Sequence, residues 1–156
     1  MSEPAIQQFY DEDLAQCFGC GVHNPAGHRF STRWLPDRTT ETRFTPEPEH
    51  TAIRGFVYGG VVASLIDCAG TGSAALAAGR ERGVDAATDG ALRFVTGTLE
   101  VRYERPTPMG PELVCSGTIA EVRGRKVTVE LVVTAEGTVV ARGRVIALEA
   151  PDTMAG

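Results

Sequence analysis

The sequence predicts an α+β fold in which one long apolar helix is wrapped by an antiparallel β-sheet. Two short segments rich in Thr and aromatic residues come first, at residues 29–34 and 40–44. A run rich in Ala and Leu follows at residues 59–78, and four segments with partial period-2 alternation occupy most of the remaining chain. Such alternation is typical of strands with one buried face. Strands grouped before and after a single helix indicate a sheet that buries that helix.

Each element has its own sequence signal. The turn residues LPDR join the first two segments into a predicted hairpin, and TPEPEH at residues 45–50 prevents the second from continuing. The helix is expected to begin at Gly59 and to stop at Gly79, because glycine commonly ends helices. The later strand segments cover residues 91–106, 112–123, 126–136 and 138–149, and the tight reversals GRK and AEG predict antiparallel hairpins between the last three.

Length and charge restrict the class of protein. A chain of 156 residues is long enough for one domain with a single core. We expect this domain at residues 17–149, with an N-terminal extension at 1–16 and a C-terminal tail at 150–156. The formal net charge of -5 argues against nucleic acid as a partner, since phosphate binding needs a basic face. The acidic N-terminal segment and the polar interruptions in the apolar run at 56–79 predict a cytoplasmic protein with no membrane partner.

The cysteines are expected to be reduced thiols, because the sequence has no sign of secretion. Two of them form a CFGC pair that could be half of a zinc site, with His23 or His28 as further ligands. No second CxxC or HxxxH completes the pair, so we expect packed thiols, no metal and no cofactor. The four cysteines are Cys17, Cys20, Cys68 and Cys115.

A narrow polar stripe runs along the predicted helix. Its spacings of four, three and four residues place the members within roughly 60° of one another, and the rest of the helix is apolar or small. The stripe is therefore expected to line a cleft or an interface. A half-buried carboxylate within reach of a hydroxyl suits a general base or a nucleophile, although an acid bonded to a nearby backbone group is the structural alternative. The stripe consists of Gly60, Ser64, Asp67 and Thr71.

The start of the helix suits a second catalytic task. Gly59 and Gly60 leave backbone N–H groups free at the positive end of the helix dipole, where a developing oxyanion is stabilised. Gly59 and Asp67 are about 12 Å apart along one helix at roughly 1.5 Å per residue, too far to act on one carbon atom. An antiparallel helix from a second copy would bring them together. We therefore predict a C2 homodimer with two composite sites.

Four segments resemble one known family. YGGVVASLID matches a motif of the form HGG(x)6[DE], and CFGCGVHNPAG, LEVRYERPTPMG and VRGRKVTVEL match in the same order. The chain resembles the hotdog-fold acyl-CoA thioesterases of the PaaI-like branch over about residues 17–149. The resemblance departs at two positions, since Tyr58 stands where the usual residue is His, and Ala52 where Asn or Gln is common.

The resemblance implies roles for individual residues. Asp67 would be the base or nucleophile, Thr71 would orient it or its water, and the Gly59 N–H of the partner subunit would polarise the thioester carbonyl. Thr96 would lie near the attacking water. The segment that begins with Tyr58 and continues through Gly60 and Ser64 would line the substrate site. Cationic side chains that could bind the phosphates of the coenzyme A moiety are Arg105, Arg123, Arg125 and Lys126, with Arg102 nearby.

The resemblance leaves three functions open. The first is hydrolysis of an acyl-CoA or related thioester by a homodimer, or by a tetramer made of two such dimers. The second is a non-catalytic domain that binds or senses acyl-CoA, which the change at Tyr58 would fit. The third is an enoyl-CoA hydratase, but its Asp and His dyad is disfavoured because no His follows His50.

Overall fold

The predicted α+β architecture is confirmed in a computed structural model that describes residues 3–154. One long helix, α1, packs against every strand of a six-stranded sheet. The helices are α1 (Gly59–Arg82) and the short α2 (Ala86–Asp89), and the strands are β1 (Thr32–Leu35), β2 (Thr39–Phe44), β3 (Phe94–Tyr103), β4 (Leu113–Arg123), β5 (Lys126–Ala135) and β6 (Thr138–Glu149). Single 3₁₀ turns lie at Ile6–Phe9, Glu12–Leu14, Pro48–His50 and Asp152–Met154.

The sheet has the strand order β1-β2-β4-β5-β6-β3, and all neighbours are antiparallel. The expected hairpins β1–β2, β4–β5 and β5–β6 are all present. The strand that follows the helix, β3, pairs only with β6 and so forms one edge of the sheet. Its outer side has no strand partner among residues 3–154 and leaves a row of backbone groups open to another chain.

The helix lies very close to strand β6. A Cβ atom added to Gly70 would lie 2.5 Å from the Val145 side chain, and one added to Gly143 would lie 2.5 Å from the Ile66 side chain. Each surface therefore has a glycine where the other has a branched residue. By length and composition α1 could cross a membrane, but 83% of its most apolar window is buried inside the protein, as in the core helix of a soluble fold.

The predicted end of the helix was wrong by one turn. The helix continues through Gly79 to Arg82 and ends at Gly83, whose φ of 66° is left-handed. The N–H of Val84 returns to the carbonyl of Gly79 at 2.8 Å, closing the last turn. Two glycines could have served as the stop, and only the one that adopts a positive φ does so. An ion pair between Arg82 and Glu149, 2.9 Å long, fastens this end to β6.

The N-terminal segment packs into the core. Ile6 and Tyr10 are buried, and the Gln7 side chain lies beneath strand β1. The Gln7 amide oxygen accepts a 2.8 Å hydrogen bond from the Thr32 N–H, and its nitrogen donates to the Thr32 hydroxyl at 3.3 Å. Residues 5–15 therefore pack against both the sheet and the helix. At the other end, the N–H of Ala150 donates a 2.8 Å hydrogen bond to the carbonyl of Arg93, the residue before strand β3.

Candidate active site

The carboxylate of Asp67 lies half-buried on α1, opposite the edge strand β3. The hydroxyl of Thr96 on β3 donates a hydrogen bond to Asp67 Oδ1. A β-bulge at Gly97 shifts the register of β3 against β6 just after Thr96, and bulges of this kind commonly re-aim side chains beside functional sites. Thr96 is exposed in the single chain. The acid and its donor thus lie at an open margin between helix and sheet.

Several effects act on the Asp67 carboxyl. Burial raises its pKa above the ordinary value, because the charged form loses hydration. The hydrogen bond from Thr96 opposes this and lowers the pKa. The nearby sulfur of Cys17 raises the pKa slightly and the guanidinium of Arg93 lowers it. A carboxylate held in this way by a single hydroxyl retains accepting capacity on its second oxygen.

The first turn of α1 has no side-chain cap. Tyr58 occupies the N-cap position and makes no side-chain cap hydrogen bond, so the amides of the first turn are not satisfied by a cap. The Tyr58 ring lies over Gly60, where an added Cβ would be 2.4 Å from the ring. The residue that replaces the family's His therefore covers the helix tip, and it is 57% exposed.

Tyr103 is a site residue that sequence analysis missed. Its phenol donates a 2.6 Å hydrogen bond to the carbonyl of Gly59 and so fixes the first peptide of the helix to strand β3. Burial, and to a smaller extent neighbouring Tyr58, raise the pKa of Tyr103, so the phenol stays protonated and can donate. The segment LEVRYERP predicted a strand that contains Tyr103, but nothing in the sequence indicated that this strand ends beside the start of α1.

The hydroxyls of the predicted stripe bond to the helix itself. Thr71 is buried and donates to the carbonyl of Cys68 at 3.2 Å, and Ser64 donates to the carbonyl of Gly60 at 2.8 Å. Buried Ser and Thr in helices commonly satisfy themselves in this way. The expected bond between the Thr71 hydroxyl and Asp67 is therefore replaced by the bond from Thr96. The half-buried members of the stripe are Gly60, Ser64 and Asp67, and the neighbouring Ala63 is half-buried as well.

The cationic residues lie at two different ends of α1. Arg105 lines a surface cavity of about 360 Å³ together with Gly59 and Tyr103, so it lies beside the helix tip. The other group is exposed at the β4–β5 reversal, and Arg82 of the last helical turn reaches the Gly124 carbonyl of that reversal at 3.1 Å. One chain therefore does not gather them into a single patch. This second group consists of Arg123, Arg125 and Lys126.

One long helix packed against an antiparallel sheet of six strands is the architecture of the hotdog fold. The family model of the thioesterase superfamily matches residues 54–145, more than half of the chain. The protein therefore belongs to the thioesterase superfamily, and the predicted family is confirmed.

Solved structures agree with this assignment. A thioesterase superfamily protein from Shewanella loihica is 46% identical, with a TM-score of 0.65 over 78% of this chain and 91% of that one. The PaaI protein from the phenylacetic acid degradation operon of E. coli is 14% identical, with a TM-score of 0.61 over 80% of this chain and 81% of that one. An uncharacterised Pyrococcus horikoshii protein shares the fold over 95% of both chains, at 20% identity and a TM-score of 0.62. The comparison with curated proteins finds no match.

Proposed function

We propose that the protein hydrolyses an acyl-CoA, or a related acyl thioester, to the free acid and the thiol. Membership of the thioesterase superfamily supports thioester hydrolysis in general. The observation that carries the specific proposal is the hydrogen bond from Thr96 to the half-buried carboxylate of Asp67. It holds one carboxylate oxygen and leaves the other available to a water molecule or to the substrate.

Asp67 is the proposed general base or nucleophile. As a base, its free oxygen accepts a proton from water while the water oxygen attacks the thioester carbonyl. As a nucleophile, it attacks the carbonyl directly and forms an anhydride, which water then hydrolyses. Both routes release the thiolate, and both need a donor for the oxygen that becomes negatively charged. We assign that donor to the Gly59 N–H, at the positive end of the α1 dipole.

The proposed site is completed by a second copy of the chain. Gly59 and Asp67 belong to one uninterrupted helix and are about 12 Å apart at roughly 1.5 Å per residue. A two-fold axis near Ala63 would run two α1 helices antiparallel and set Gly59 of each against Asp67 of the other. Two features support this pairing: the half-buried stripe of small residues on α1, and the unpaired edge of β3 beside it. Oligomers larger than a dimer are compatible with this arrangement.

The proposed binding site for the nucleotide of coenzyme A includes Arg105. It is exposed, lies beside the helix tip and has no ion-pair partner among residues 3–154. An antiparallel dimer would also reduce the distance between this tip and the partner subunit's cluster of Arg123, Arg125 and Lys126. Replacing Arg105 by Ala should raise KM for an acyl-CoA and leave KM for the same acyl-pantetheine unchanged, because only the former carries nucleotide phosphates.

The deciding experiment measures thiol release from short, medium, long and aryl acyl-CoAs by wild type and by Asp67→Asn. We expect a loss of kcat of about 10²- to 10⁴-fold, the range that a positioned acid or base supplies, with acyl-CoA binding retained. Asp37→Asn is the matched control, since Asp37 lies exposed in the β1–β2 turn with a left-handed φ of 62° that Asn also tolerates. Equal turnover by wild type and Asp67→Asn would reject the assignment.

A non-catalytic acyl-CoA binding domain is the second candidate. The specific observation that favours it is the Tyr58 ring over Gly60, which covers the tip that an oxyanion would have to approach. Calorimetric binding of acyl-CoA without any thiol release from the whole substrate panel would select this function. Turnover that increases in Tyr58→His would instead identify an active thioesterase whose efficiency is reduced by the Tyr58 side chain.

A further inference from the structure

Three cysteine side chains from distant parts of the sequence lie close together where the loop before β1 packs against α1. Cys17 and Cys20 come from the loop before β1, and Cys68 follows Asp67 on α1. Their three sulfur atoms lie within 4.8 Å of one another. The fourth cysteine, Cys115, lies on β4 and does not belong to this cluster. The cluster has no role in the thioester chemistry proposed above.

The CFGCG loop is folded tightly around the sulfurs. The Cys17 sulfur lies within 4.8 Å of the sulfurs of Cys20 and Cys68. The N–H of Gly21 returns to the Cys17 carbonyl at 2.8 Å and closes the turn. A Cβ on Gly19 would lie 2.3 Å from the Cys68 sulfur, so the loop backbone reaches the helix only because residue 19 is glycine.

The dimensions of the cluster suit a thiophilic cation. Zn–S bonds are about 2.3 Å long, which places sulfurs of a tetrahedral site about 3.8 Å apart. Sulfurs already within 4.8 Å need to move by only about 1 Å or less to reach that spacing. Cys20 and Cys68 are buried, whereas Cys17 is half-buried and lines an open cavity of about 330 Å³ with Asp13, Gln16 and Arg93. That cavity provides an entry path.

We propose that Cys17, Cys20 and Cys68 form a three-thiolate site for a d¹⁰ cation such as Zn²⁺, with the fourth coordination position facing the cavity. Each thiol releases its proton to solvent when the metal–sulfur bond forms. The two histidines of the same loop are not the fourth ligand, because neither belongs to the cluster and His28 packs instead between the aromatic rings of Phe18, Phe30 and Phe44. The CFGC pair alone did not predict this site, because the third sulfur comes from Cys68 on α1, far away in the sequence.

The proposed metal would clamp the N-terminal loop onto α1 directly beside Asp67. Because binding to the folded chain stabilises it by mass action, metal should raise the midpoint of thermal unfolding. This readout does not depend on any enzymatic activity. The metal site and the thioesterase assignment can therefore fail separately.

The test titrates the reduced, metal-free, full-length protein with Zn²⁺ and with Cd²⁺ as a spectroscopic probe. We expect one ion per chain by elemental analysis, thiolate-to-Cd²⁺ absorption in the near ultraviolet, a higher Tm, and protection of the half-buried Cys17 thiol from alkylation. Cys17→Ser, Cys20→Ser and Cys68→Ser should each weaken binding by at least tenfold. Cys115→Ser, which removes a buried thiol elsewhere in the core, should retain full binding.

Circular dichroism checks that each variant is folded, and Cys17→Ser is the most informative because Cys17 is only half-buried. If Cys68→Ser does not fold, Cys68→Ala replaces it. Absence of stoichiometric binding by wild type would overturn the proposal, as would equal binding by wild type and folded Cys17→Ser. A Cys17–Cys20 disulfide that forms under the same reducing conditions and excludes Zn²⁺ would also overturn it.

Discussion

Replacing Thr96 by Val removes the single hydroxyl that holds Asp67 and nearly preserves the shape of the side chain. Thr96 lies next to the bulge of the edge strand β3, and Asp67 lies half-buried on α1. The hydrogen bond between them is the contact on which the proposed active site depends most directly. The variant therefore tests whether this contact positions a catalytic group.

The size of the effect follows from the charge and exposure of the pair. A hydrogen bond to a charged group contributes about 1.5 to 3 kcal/mol. Thr96 is exposed in the single chain, so water competes for the carboxylate and the lower end of that range applies. Since about 1.4 kcal/mol corresponds to a tenfold change in rate, we expect kcat/KM to fall by about tenfold in Thr96→Val. The fall should be much smaller than that caused by Asp67→Asn.

The assay is thiol release from the best substrate of the panel, with kcat and KM determined separately. Thr96→Ser keeps the hydroxyl and should restore most of the activity, which a purely structural role of the threonine would not require. Thr118→Val is the matched control, because Thr118 is an exposed strand threonine on β4. If Thr96→Val matched wild type, or if Thr96→Ser were as impaired as Thr96→Val, the positioning role would be refuted.

Three further variants test the rest of the site and the packing beneath it. Tyr103→Phe loses the donor to the first helical turn and should lower kcat several-fold with little change in Tm, measured by the same assay and by calorimetry. Gly70→Ala should lower the free energy of unfolding by about 1 to 3 kcal/mol, because the new methyl meets the Val145 side chain at 2.5 Å, and Val145→Ala should relieve only part of the loss, because the Cβ that alanine keeps is also 2.5 Å away. Gly79→Ala should instead raise the free energy of unfolding by about 0.5 to 1 kcal/mol, because its methyl would make only an ordinary 3.5 Å contact. Equal unfolding midpoints in denaturant for Gly70→Ala and Gly79→Ala would contradict the packing argument. Leu99→Lys on the open edge strand should shift sedimentation to the monomer and abolish turnover together, and an active monomer would disprove the composite site.

The fold could be predicted from the sequence because the local signals for helix, strands and turns agree with the long-range packing. The tandem glycines mark the first residue of α1, and the turn residues GRK and AEG place two of the three hairpins. The end of the helix was missed because Gly79 and Gly83 look alike in sequence. In the structure, Gly83 is the residue that ends the helix, because its left-handed conformation lets the N–H of Val84 bond to the carbonyl of Gly79.

The site was predicted less completely, for a different physical reason. Helical spacing relates Asp67 to Thr71, which share a surface stripe, but a buried hydroxyl on a helix bonds to its own backbone instead. The true partner, Thr96, comes from a strand 29 residues away and was indicated by family resemblance rather than by periodicity. Tyr103 was missed in the same way, since its contact with Gly59 crosses from a strand to the helix. Sequence periodicity indicates which residues are neighbours within one helix or strand. The contacts of this candidate site join residues of different elements, so periodicity could not predict them.

The pattern of burial along α1 supports a shared site more strongly than any single residue does. From Cys68 to Gly79 every residue of the helix is buried by its own chain, whereas Gly60, Ser64 and Asp67 before them remain half-buried. These half-buried residues lie beside the β3 edge of the sheet, which has no second strand partner among residues 3–154, and they include the proposed catalytic acid. Leaving that face in water would weaken the attraction between an acid and a helix dipole, because water screens both. A second copy that covers the face would remove the water and supply the missing oxyanion donor in one step. The proposed antiparallel pairing would therefore resolve both the incomplete burial of α1 and the incomplete proposed site of a single chain.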